Sequence, residues 1–236
     1  MDIPVWVMRG KDPARIPAHE GASAAGAASA AILDQSVATK VAPPRAAHVV
    51  ALDWEPLAEA VRGCTRCGLH ATRTQTVFGV GRRDAALMII GEAPGAEEDR
   101  QGEPFVGPAG QLLNAMLKAI KLRREDVYIA NILKCRPPSN RDPSPSEAST
   151  CTPYLNRQIE LLRPRVILAV GRIAGQWLLQ TELPIGRIRG QVSRYGETGI
   201  PLVVTYHPAY LLRSPLAKAK AWQDLCLVRD LVESQS

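Results

Sequence analysis

Four short apolar runs, each closed by a residue of distinctive chemistry, constrain the fold of this chain more than any other feature. ALMII (86–90) leads into Gly91 and the GEAPG turn, and VYIAN (127–131) ends on Asn131. VILAVG (166–171) leads into Arg172, and PLVVTY (201–206) is followed at once by His207 and Pro208. Between these runs the apolar period lengthens to that of a helix, as in Leu112, Leu113, Met116, Leu117 and Ile120 within 110–120. Further helices are expected over 146–162, 172–179 and 214–232. A strand that is apolar at every position is buried on both faces, the situation of a parallel sheet covered by helices on two sides. The expected fold class is therefore α/β: three layers, α/β/α, around a small, mostly parallel four-stranded sheet. Such sheets bind ligands beyond the carboxyl ends of their strands. Glu92, Asn131, Arg172 and His207 all fall there.

Residues 1–50 have a different character. GASAAGAASAA and VAPPRAA are rich in Ala, Gly, Ser and Pro, and this composition buries too little apolar surface to offset its ordering entropy. The expectation is a disordered tail of unknown partner, followed by one domain over 51–236 that opens with a helix N-capped by Asp53. IPVWVM (3–8) reads as an apolar terminus rather than a docking peptide. The N-terminus has an acid at position 2 and too short an apolar run for a secretory signal, and no run approaches the ~20 residues of a membrane span. A cytoplasmic monomer without membrane contact is expected. Lys and Arg number 29 against 23 Asp and Glu, a net charge of +6 that suits a polyanionic partner without requiring one.

In a reducing compartment, five cysteines point to metal binding or catalysis rather than disulfides. Cys64 and Cys67 form a C-x-x-C pair able to reach one metal centre; Cys135 follows the second strand and Cys151 sits in the next helical segment. On chemistry alone, zinc and a cubane iron–sulfur cluster fit equally well. Cys226, on the apolar C-terminal helix, reads as a buried small hydrophobe.

GEAPGAEED (91–99), GEPFVGPAGQLL (102–113), NILKCRPPSNR (131–141) and HPAYLLR (207–213), in this order and with the four cysteines, resemble the family 4 uracil-DNA glycosylases. The resemblance runs from Asp53 to the C-terminal helix. It implies the uracil-DNA glycosylase fold and hydrolysis of the N-glycosidic bond of a flipped-out uracil. It also implies a [4Fe-4S] cluster on Cys64, Cys67, Cys135 and Cys151, and uracil-containing DNA, single- or double-stranded, as partner. A basic, histidine-containing insertion that a covalently trapping relative carries after its RPP element is missing from RPPSNRDPSPSE, so permanent cross-linking to the product is not expected.

Carried over to matching positions, the resemblance makes His207 the donor to the developing charge on uracil O2 and Glu92 the group that orients or activates water. Asn131 would read the pyrimidine edge, Phe105 would stack on the base, and Ala93 and Pro94 would bring backbone amides against it. Leu211 or Leu212 would wedge into the space the base vacates, with Arg213 on a phosphate. Lys134, Arg136 and Arg141 are candidate DNA-backbone contacts. Family 1 enzymes carry aspartate where Ala93 stands and tyrosine where Gly95 stands, so water activation and rejection of thymine's methyl group fall to other residues here, Glu98 being the candidate for the latter. The rival reading is a non-catalytic iron–sulfur or zinc nucleic-acid-binding module on the same scaffold, which would need none of Glu92, Asn131 or His207. No G-x-S-x-G nucleophile or P-loop is present.

Overall fold

The computed structural model describes residues 49–234. The expected tail, with IPVWVM, His19 and His48, lies outside the described residues except for its last two positions. Helix α1 (Trp54–Arg62) begins as the sequence indicates, with the Asp53 carboxylate accepting from the Trp54 amide at 2.7 Å. The chain then forms β1 (Val80–Gly81), β2 (Leu87–Gly91), α2 (Ala96–Gln101), α3 (Pro108–Ala119) and β3 (Tyr128–Asn131). Next come α4 (Pro145–Leu162), β4 (Val166–Val170), α5 (Arg172–Leu179), α6 (Ile185–Ile188) and β5 (Val192–Tyr195). Strand β6 (Ile200–Thr205), α7 (Pro208–Arg213) and α8 (Lys218–Glu233) complete the fold.

The sheet has six strands in the order β1-β3-β2-β4-β6-β5, not four. The four expected strands form its parallel centre, and β1 and β5 add antiparallel edges. Both edges escape the apolar-run criterion for a physical reason: β1 has two residues, and β5 alternates exposed and half-buried positions because only one of its faces is covered. The turn chemistry of Gly196 and Gly199, both at positive φ, was the available signal for the β5–β6 hairpin.

Side chains alternate between two apolar layers. Met88, Ile90, Ala130, Ile167, Ala169 and Val204 pack against α1, α4 and α5 on one face. Leu87, Ile89, Ile129, Leu168, Val170 and Val203 pack against α3 and α8 on the other. Each fully buried Leu, Ile or Val contributes roughly 1.5–3 kcal/mol relative to exposure, which is why the central strands are apolar on both faces up to their polar carboxyl ends at Asn131 and Thr205. Among the described residues no helix is long and apolar enough to cross a membrane.

Candidate active site

Strand register builds the site. Gly91 pairs with Asn131 and Val170 with Thr205, so the parallel strands end side by side. The first pairing continues past the ladder, with the Ile132 amide donating to Gly91 O at 3.0 Å and the Leu133 amide to Glu92 O at 3.1 Å. At the other end, Gly171 N–H donates to Thr205 O at 2.8 Å, and Gly171 has a φ of 105°. A Cβ there would lie 3.2 Å from His207 Cβ, so glycine lets the chain turn tightly under the imidazole.

Asn131 is buried, and its Oδ1 is the one buried side-chain nitrogen or oxygen among the described residues without a hydrogen-bond partner. An unmet buried acceptor costs about 1–3 kcal/mol. Beside it stands Phe105, 6% exposed. A Cβ on Gly91 would fall 2.4 Å from Asn131 Oδ1 and 2.8 Å from Phe105 Cζ, so both side chains occupy the space this glycine leaves. The Phe105 ring stacks on the His207 imidazole, with centroids 5.7 Å apart and planes inclined by 29°.

Phe105 has a φ of +54°, a left-handed conformation costing an L-residue roughly 1–2 kcal/mol. Two residues that the sequence reading passed over hold it there. Gly110 in α3 lets Phe105 O approach to a point 1.8 Å from where a Cβ would be. Arg124 donates to Phe105 O at 3.2 Å and to Pro104 O at 2.5 Å, and pairs with Glu103 at 2.9 Å.

His207 is the N-cap of α7, its Nδ1 accepting from the Ala209 amide at 3.1 Å. A ring that accepts at Nδ1 carries its single neutral-state proton on Nε2. Burial, assisted by Arg213 and opposed by Glu98, lowers its pKa to about 4, so the ring is neutral at pH 7. Glu92, half-buried just past β2, moves the other way, to about 7. Burial is the main cause, Asp142 adds to it, and Arg172 opposes it. Arg172 is itself ion-paired with Asp142 at 2.8 Å.

Ala93 and Pro94 lie in the turn between β2 and α2. The Glu98 carboxylate accepts from the amides of Gly95 (3.1 Å), Val106 (3.0 Å) and Gly107 (3.2 Å). It therefore ties this turn to the Phe105 loop.

A second region gathers Cys64, Cys67, Cys135 and Cys151 around one cavity, which Arg73 and Lys134 also line. Arg73 Nη1 donates to Cys135 Sγ at 3.0 Å and to Cys64 O at 2.8 Å, and the Lys134 amide donates to Cys151 Sγ at 3.3 Å. Burial pushes the Cys151 thiol up to about 12 and raises that of Cys135 as well. Among the described residues no three His, Cys, Asp or Glu side chains stand close enough to hold a single metal ion. Cys226 is half-buried on α8 rather than fully buried, and is not among the residues around this cavity.

Three sequence expectations about DNA contact change. Leu211 is 1% exposed and packs in the core layer shared by α3 and α8, so it has no face to offer DNA. Leu212, 47% exposed, and Arg213 remain on the surface of α7, which is a helix rather than the expected loop. Lys134 is 1% exposed and cannot reach a phosphate. Arg136 and Arg141 are held locally, by Asn140 Oδ1 at 2.7 Å and by Glu147 at 2.6 Å.

The family model described as the uracil DNA glycosylase superfamily matches residues 78–226, the stretch that contains the parallel sheet and both sides of the rim. A type-4 uracil-DNA glycosylase of Archaeoglobus fulgidus is 45% identical over 184 residues, covering 75% of this chain and 92% of the relative. The type-4 enzyme of Pyrobaculum aerophilum is 41% identical over 182 residues (75% and 93%), and that of Thermotoga maritima 44% over 162 residues (68% and 83%). With a rim of Glu92, Asn131 and His207 over a doubly covered sheet, and with this similarity along nearly the full length of those relatives, the chain belongs to the uracil-DNA glycosylase superfamily and, within it, to the type-4 family.

Proposed function

We propose that the chain removes uracil from DNA by hydrolysing its N-glycosidic bond and leaves an abasic site. The observation that carries this reading is the unpartnered, buried Oδ1 of Asn131, set beside an aromatic face and a neutral imidazole. Uracil offers the donor that this acceptor lacks: its N3–H donates to Oδ1, while Asn131 Nδ2 donates to O4. Cytosine presents the reverse pattern, which the amide in this orientation would meet like against like. The base has to leave the stack to reach the pocket, and Phe105 receives its face, a contact of about 1–3 kcal/mol.

As the C1′–N1 bond lengthens, negative charge grows on uracil O2 and positive charge on the sugar. His207 Nε2–H donates to O2, and because Nδ1 is already fixed by the Ala209 amide, the donor is aimed before the reaction begins. Glu92 is the only acid of the GEAPG turn, and its carboxylate orients water and takes its proton. With a pKa of about 7 it is basic enough to accept a proton and ionised often enough to do so. On the outer surface, Leu212 fills the space the base vacates and Arg213 meets a phosphate.

The four cysteines fit a [4Fe-4S] cluster. Four thiols line one cavity, and two of the sulfurs already accept N–H bonds. When bound, the cluster supplies a covalent staple between the α1 turn, the end of β3 and α4, and a redox-capable centre.

The test is cleavage of a labelled oligonucleotide with one uracil, followed by alkali to break abasic sites. Uracil-dependent breakage that falls by two or more decades in His207→Ala, and does not occur with thymine, supports the reading. Iron-loaded protein that leaves the uracil strand intact sinks it in favour of a binding module.

A further inference from the structure

Lys134 stands out because the proposed chemistry does not use it and its burial is nearly complete. Taking a lysine out of water costs several kcal/mol unless its charge is compensated. Its Nζ donates to Asn131 O at 2.8 Å and to Gln158 Oε1 at 2.6 Å, both neutral acceptors. Gln158 Nε2 in turn donates to Phe78 O at 2.9 Å and to Tyr128 Oη at 3.1 Å, so its carbonyl is aimed at the ammonium. Among the described residues Lys134 forms no ion pair with Asp or Glu, and it lines the same cavity as Cys135 and Cys151. The same residue touches the base reader through Asn131 O and a cluster ligand through its own amide, at 3.3 Å from Cys151 Sγ.

We propose that Lys134 is a positioning residue that couples the cluster to uracil recognition: its ammonium is the buried counter-charge of the thiolate cage and pins the strand-end carbonyl of Asn131. This inference rests on the cluster assignment above. A cubane held by four thiolates carries net negative charge, and its reduction potential follows the charges and hydrogen bonds around its sulfurs. Lys134 thus answers two needs with one side chain. The cation stabilises the cage, and the cage makes it tolerable to hold an ammonium against Asn131. Asn131 Oδ1, with no internal partner, depends on its backbone being fixed, and Lys134 fixes it.

The experiment uses the iron-loaded full chain and compares wild type, Lys134→Met and Lys134→Gln. Three readouts are taken: iron content with the visible thiolate-to-iron absorption, cluster potential by voltammetry, and separate kcat and KM on a uracil oligonucleotide. Lys134→Met removes charge and hydrogen bond together. It should shift the potential to more negative values and raise KM by about tenfold or more, the value of a hydrogen bond to a charged group. Lys134→Gln keeps an N–H donor without the charge, so it should shift the potential equally while recovering part of KM. A merely unstable protein would lose active fraction, lowering apparent kcat at unchanged KM. Should Lys134→Met fail to fold, the potential of Lys134→Gln still decides. Iron-loaded variants with wild-type potential and KM would overturn the coupling and leave the cluster assignment standing. Wild-type protein that binds no iron would overturn both.

Discussion

Gly91→Ala tests the pocket at its most sensitive point. The strand backbone tolerates alanine there, since Gly91 is not at a positive φ. The added Cβ, however, would sit 2.4 Å from Asn131 Oδ1 and 2.8 and 2.9 Å from two atoms of the Phe105 ring. To restore ordinary contact near 3.4 Å, Oδ1 must retreat by roughly 1 Å and the ring by roughly 0.6 Å. The carbonyl moves readily, because no internal hydrogen bond holds it. The ring does not, because Gly110 and Arg124 fix its backbone and His207 lies against its face. The fold should therefore survive with a penalty of about 1–3 kcal/mol, while the uracil slot closes. Losing the Asn131 pair and part of the stacking removes roughly 3 kcal/mol of transition-state binding, or about two decades in kcat/KM. Single-turnover cleavage of a uracil oligonucleotide, run with a thermal melt, measures both quantities. If kcat/KM stays within about threefold of wild type, Asn131 Oδ1 and Phe105 do not form the wall of the pocket, and the reasoning fails.

Two further outcomes follow from the site. The Glu92 carboxylate is the active form, so kcat/KM should rise from pH 6 to 8 with a midpoint near 7, and Glu92→Gln should lose this limb. The folded state raises the Glu92 pKa, so its contribution to stability is complete below pH 4.5 and is lost as pH rises through about 7. Glu92→Gln should accordingly gain in melting temperature relative to wild type over that interval, and parallel curves for the two proteins would refute the shift. On α7 the two leucines should separate cleanly: Leu211→Ala costs about 2–5 kcal/mol in urea unfolding. Leu212→Ala leaves stability within about 0.5 kcal/mol but weakens excision from duplex more than from single-stranded DNA, and the opposite ranking would reject the assignment.

The sequence by itself determined the centre of the sheet, the helices on both sides of it and the rim that carries the candidate site. Continuous apolar runs have only one environment available to them, and the ends of parallel strands fall on the same side. It also put Glu92, Asn131 and His207 at strand ends, while Phe105 and the roles of all four came from the family resemblance. Tertiary structure alone decided what depends on which groups become neighbours. Leu211 and Leu212 are identical in chemistry and adjacent in sequence, and only the packing of α7 buries one and exposes the other. Lys134 looked like a surface cation until the fold buried it between Asn131 and the cysteines. Arg124 and Gly110 hold Phe105 in a left-handed conformation from positions with no local signature. The opposite pKa shifts of Glu92 and His207 come from desolvation, a property of the space around a group rather than of the group. Local sequence encodes periodicity and residue type, whereas burial and charge at a site are sums over residues that meet only when the sheet closes its register.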